Sequence, residues 1–111
     1  MITFAGSTPI FVSSRPLDMR KGYDTLAALV STEFKKDVFS GALFVFFNRS
    51  ADRVKLFYWE RNGYCLWQKR LEKGRFRLPK VNKVCYALSA SDLNCLLEGI
   101  DLLDKQRLKA V

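Results

Sequence analysis

The sequence predicts an α+β fold: one domain with a mainly antiparallel sheet of about five strands, one helix before the main hairpin and one after it. Three observations carry this. An apolar stripe at helical period runs over residues 23–34, strand-forming segments and turn signals follow from residue 43 to 88, and a second helical stripe begins at Leu93. A length of 111 residues is close to the commonest size for one domain, so residues 1–111 are read as a single unit. The chain is 49% hydrophobic and has nine Phe, four Tyr and two Trp, enough apolar surface to offset the entropy of ordering it.

Residues 9–13, PIFVS, read as a short edge strand, where a leading Pro9 is tolerated. Asp18 is the expected cap of a helix whose apolar positions Tyr23, Leu26, Ala27, Val30 and Phe34 share one face. Gly22 weakens its first turn, Lys35 and Lys36 suit the negative end of its dipole, and residues 37–41 form the turn that follows. The run LFVFF at 43–47 is apolar without alternation, which predicts a central strand buried on both faces.

Residues 53–60, RVKLFYWE, are rich in β-formers and lead into Asn62-Gly63, a pair that permits the positive φ of a type I′ turn. With that turn, opposite positions sum to 125, pairing Trp59 with Leu66, Phe57 with Gln68 and Lys55 with Arg70. Val54, Leu56, Tyr58, Cys65, Trp67 and Leu71 then face the core. Lys55, Phe57, Trp59, Gln68 and Arg70 are left on an outer face. Residues 83–88, KVCYAL, read as a further strand. Ser89 and Asp92 resemble a capping box, and Leu93, Leu96, Leu97 and Ile100 form the stripe of the second helix. Residues 101–111 read either as an extension of that helix or as a frayed tail.

The residues offer little for catalysis. With no His, the Ser-His and Cys-His nucleophile pairs and the usual zinc-ligand sets are missing. Cys65, Cys85 and Cys95 are spaced by twenty and ten residues, which matches no familiar zinc or redox motif and fits buried, reduced thiols. The carboxylates Asp18, Asp24, Asp52, Glu60, Asp101 and Asp104 read as caps, turns or solvated groups, and no glycine-rich phosphate loop is present. No catalytic, metal or cofactor residue is assigned. The first residues lack the basic start and apolar core of a secretory signal, and no stretch is long and apolar enough to span a membrane, so a cytoplasmic protein is expected.

Charge is the informative global feature. Nineteen Lys and Arg against eleven Asp and Glu give a formal net charge of +8. From Arg49 to Lys83 there are eleven basic residues and three acidic ones, so this segment holds the whole excess. Basic groups replace condensed counterions along a phosphate backbone, and aromatic rings stack on unpaired bases. Candidate nucleic-acid-binding residues are therefore Arg53, Lys55, Trp59, Lys69, Arg70, Lys73, Arg75 and Arg77, presented by strands and loops and not by a groove-reading helix. Two alternatives stand beside this: a merely solvated sheet face, and a protein interface anchored by Phe57, Trp59 and Leu66.

Five strings occur together in order: DMRKGYDTL (18–26), FSGALFVF (39–46), DRVKLFYWE (52–60), KRLEKGRF (69–76) and LLEGID (96–101). The chain resembles the small TnpB-type accessory protein, the second open reading frame product, of the insertion-sequence sixty-six family. The resemblance spans about residues 17–101. It implies an accessory role in DNA transposition without an active site of its own, beside a separate transposase and another accessory protein as partners; element DNA as a partner is read from the charge. The matching basic positions are Arg20, Lys21, Arg53, Lys55, Lys69, Arg70 and Arg75. Residues 48–51 depart from a usually more basic, glycine-rich loop, and Leu78 stands where an aromatic is common.

Overall fold

The computed structural model describes residues 6–99. In chain order these form β1 (Ile10–Ser13), α1 (Tyr23–Thr32), a 3-10 turn (Val38–Ser40), β2 (Leu43–Phe47), β3 (Arg53–Glu60), β4 (Gly63–Arg70), β5 (Cys85–Leu88) and α2 (Ala90–Leu97). The strands make one sheet in the order β4-β3-β2-β1-β5. β1 and β2 are parallel, joined by α1 as a crossover, and the other three pairings are antiparallel. The α+β class and the two flanking helices agree with the sequence.

β1 is not an edge. It lies between β2 and β5, and Pro9 sits just outside it, where its carbonyl accepts from Leu43 N at 2.9 Å. A proline needs no edge when its missing N–H falls before the strand begins. Asp18 does not cap α1 either. Gly22 is the N-cap, without a side-chain bond, while Asp18 accepts from Arg20 N at 2.9 Å and organises the preceding turn. Ser89 does cap α2, its hydroxyl accepting from Asp92 N at 3.0 Å. Ile100 and the tail at 101–111 lie outside the described residues.

The hairpin turns one residue earlier than Asn62-Gly63 suggests. Glu60 faces Gly63, the loop is Arg61-Asn62, and Arg61 takes the left-handed φ of 55°. The positive φ therefore falls on the first loop residue, as in a type II′ turn. Trp59 pairs with Tyr64, Phe57 with Leu66 and Lys55 with Gln68, and Arg70 faces Arg53. Each partner moves by two, so the division of side chains between the faces is kept.

Both faces of the sheet are covered. Ile10, Val12, Leu43, Val45, Phe47, Val54 and Leu56 pack on one side against Phe76 and the α2 leucines Leu93, Leu96 and Leu97. Phe44, Phe46 and Phe57 pack on the other against Leu26 and Val30 of α1, with Leu17, Phe34 and Val38. The expected outer face is thus a second core face: Phe57 is fully buried and Lys55 is only 4% exposed. All five residues of β2 are buried, as its unbroken apolar run requires.

Candidate nucleic-acid interface

The strand directions bring three connections to one end of the sheet, where β1, β2 and β4 finish and β3 and β5 begin. These are residues 14–22, 48–52 and 71–84. Backbone hydrogen bonds knit them together. Ser14 N donates to Val84 O at 3.0 Å and Leu17 N to Phe47 O at 2.8 Å, while Leu71 N donates to Asp52 O and Phe76 N to Ala51 O, both at 2.7 Å. The Ser14 hydroxyl also donates to the Lys83 carbonyl. Asn48 closes the middle turn by accepting from the amides of Asp52 and Arg53, each at 3.0 Å. Phe76, buried among Phe47 and its neighbours, pins the longest connection to the core.

Basic residues gather on this platform. The first connection carries Arg15, Arg20 and Lys21, and the second Arg49. The third carries Lys73, Arg75, Arg77, Lys80 and Lys83, and the strand ends add Arg53 and Arg70; every one of these is exposed. The connections and strand ends themselves carry the acidic residues Asp18, Asp52 and Glu72, and Glu33, just after α1, reaches Arg15 at 3.7 Å. Eleven cations thus stand against four anions, a clear excess of positive charge at this end.

This set is not the one contiguous in sequence. Of the candidate residues, Arg53, Arg70, Lys73, Arg75 and Arg77 lie at the basic end. Lys55 does not face solvent: its ammonium donates to Met19 O at 2.7 Å and Lys21 O at 2.6 Å, holding the first connection down on the sheet. Burial pushes the Lys55 ammonium below its ordinary value, and the Asp18 charge pulls it partly back. Lys69 points to the opposite face, where it donates to Leu97 O at the end of α2 at 3.0 Å. Trp59 lies near the hairpin turn at the other end of the sheet, so it is not brought together with the arginines. Arg15 was not a sequence candidate; it joins only through the parallel placement of β1 beside β2, which no local pattern announces.

Asp18 grips Arg20 through both carboxylate oxygens, at 2.7 to 3.1 Å, and the Arg20 hydrogen bonds hold its carboxyl well below the usual carboxylate range. Among the described residues no group of three or more His, Cys, Asp or Glu could hold a metal ion. No helix among them is long and apolar enough to cross a membrane.

The family model described as IS66 Orf2 like protein matches residues 8–107. The chain belongs to the IS66 Orf2-like family. It is 35% identical over 92 residues to the uncharacterized protein y4jC of Sinorhizobium fredii (strain NBRC 101917 / NGR234), covering 83% of this chain and 79% of the relative. It is also 35% identical over 101 residues to the uncharacterized protein y4hO of the same organism, covering 91% of this chain and 88% of the relative. No solved structure matches. The family is one of insertion-sequence accessory proteins and not a known catalytic one.

The other end of this IS66 Orf2-like chain is aromatic. Phe39, 57% exposed, meets Trp59 edge-on at 4.9 Å between ring centroids, and Trp59 meets Tyr64 at 5.0 Å. Tyr64 in turn stacks on buried Phe57 at 5.1 Å, which roots the cluster in the core. Phe57 itself is unavailable as a surface anchor.

Proposed function

We propose that this IS66 Orf2-like protein serves transposition without catalysing it, by holding element DNA against the basic end of its sheet. The observation that carries this reading is the convergence of eleven exposed cations, nine from three separate connections and two from the adjoining strand ends, on one hydrogen-bonded platform. Ordinary solubilising charge is interspersed with opposite charge over the whole surface, whereas here the chain outside the segment from Arg49 to Lys83 is neutral. Contact is chiefly to phosphate, so affinity depends on salt more than on sequence. If about six phosphates are neutralised, the slope of log affinity against log salt is near −5 on duplex DNA.

Fluorescence anisotropy with element-end and random duplexes between low and physiological salt tests this. A steep salt slope that flattens when Arg75 and Arg77 are changed to Gln supports it. Salt-insensitive binding, or none to either duplex, removes it.

The alternative is an adaptor that holds the transposase. The exposed Phe39 beside Trp59 and Tyr64 favours it, and it shifts the anchor from the Phe57 and Leu66 of the sequence reading to this cluster. Under it, Trp59→Ala abolishes capture of the transposase while Arg75→Glu with Arg77→Glu changes little.

A further inference from the structure

Arg53 and Arg70 stand directly opposite each other on β3 and β4, so their side chains leave the same face of the sheet from neighbouring positions. Like charges placed so oppose each other and weaken the pairing. Arg70 is offset by Glu72, with Nη2 to Oε1 at 3.2 Å, whereas Arg53 has no ion pair among the described residues. The two arginines line a cleft of about 400 Å³ with Met19, Gln68, Lys69 and Glu72. Its other cation, Lys69, is already bound to the Leu97 carbonyl, so the donors left for a ligand are the Arg53 guanidinium, the part of the Arg70 guanidinium not engaged with Glu72, and the Gln68 amide. Met19 belongs to the connection that Lys55 fastens, which fixes that wall of the cleft.

We propose that this cleft is a discrete phosphate seat, in which one phosphate group of a nucleic-acid strand is gripped between Arg53 and Arg70 with Gln68 as a third donor. The proposal rests on the DNA-binding reading above and makes it more specific, since it separates one geometric site from the surrounding field of charge. Two planar forks match the tetrahedral oxygens of a phosphate bidentately, which scattered lysines do not. The Glu72 carboxylate holds the place of an oxyanion on Arg70, and it is an exposed side chain that can swing away when phosphate enters. An anion between the arginines also turns their mutual repulsion into shared attraction, which accounts for their pairing.

The test compares variants in duplex anisotropy at fixed salt. Arg53→Lys keeps the charge and loses the fork; it should weaken binding about fivefold or more, against about threefold or less for Lys80→Gln, which removes a full charge outside the cleft. Arg53→Gln and Arg70→Gln should be strongly non-additive, and Glu72→Gln should bind more tightly. Arg53→Gln should leave the melting temperature equal or raised, because it relieves a like-charge contact. Equal losses for every basic residue, with Arg53→Lys unchanged, overturn the seat.

Comparing 5′-phosphorylated with 5′-hydroxyl duplexes identifies the source of the phosphate. A preference that Arg53→Lys removes assigns a terminal phosphate, and equal binding that Arg53→Lys weakens assigns a backbone phosphodiester. A titration of the isotope-labelled protein with inorganic phosphate judges the seat independently of DNA. Saturable amide shifts at Arg53, Gln68 and Arg70 support it even if no duplex binds, and their absence rejects it even if duplexes do.

Discussion

Replacing Lys55 by Met tests how the first basic connection is held. The side chain spans from β3 to the Met19 and Lys21 carbonyls through two short charge-assisted hydrogen bonds. Such bonds contribute about 1.5–3 kcal/mol each. Methionine preserves most of the buried stem and removes the cost of desolvating the ammonium, the same cost that lowers the Lys55 pKa. The gain offsets part of the loss, and the expected net destabilisation is about 2 kcal/mol. For a domain of this size that is a fall of about 8 °C in melting temperature, read by circular dichroism. The loss should be local: amide exchange should accelerate over residues 18–22 and little in β2. Duplex affinity should drop although no exposed charge has been removed, because Arg20 and Lys21 lose their fixed position. A Lys55→Met protein with unchanged melting temperature and unchanged exchange at 18–22 would refute this, and would mean that Leu17 packing and the Leu17–Phe47 bond hold the connection alone.

Three further outcomes are expected. Phe57→Ala should cost about 3–5 kcal/mol in denaturant unfolding, as a cavity does in a packed core, whereas an exposed interface residue would leave stability almost unchanged. Arg61→Gly should raise stability by up to about 1 kcal/mol, because glycine adopts the left-handed φ of the hairpin loop without a Cβ clash. Tyr86 is pushed by burial from 10.0 to about 12. Its phenol therefore stays protonated in the fold while the unfolded chain has released the proton. The stability it contributes is complete below pH 10 and is lost as pH rises from 10 to about 12. Absorbance titration at alkaline pH should show this late phenolate step, and Tyr86→Phe should delete it.

The fold was largely legible because its elements are locally consistent. LFVFF is buried on both faces, RVKLFYWE is the whole of β3, and Ser89 caps α2. The hairpin faces survived a misplaced turn because moving a two-residue loop by one shifts each partner by two and keeps parity. What was missed is long-range. An unbroken apolar β2 implies cover on both faces, and that cover extends over its neighbour β3; Lys55, polar in type, hid this by finding carbonyls 34 and 36 residues away. The contiguous basic segment pointed to the right net charge but to a partly different set of residues. Lys55 and Lys69 are engaged with carbonyls, Arg61 is on the far turn, and the parallel crossover supplies Arg15, Arg20 and Lys21 instead.

Among the described residues, the basic excess gathers at the end of the sheet opposite Phe39, Trp59 and Tyr64, so charge is distributed unevenly along the strands. If element DNA is the partner, as proposed, the field of that polyanion exerts a torque on this uneven charge. Within a Debye length, about 8 Å at physiological ionic strength, the protein would be turned to arrive basic end first, which would shorten the search for a productive encounter. That orientation would leave the aromatic end directed outward, away from the nucleic acid.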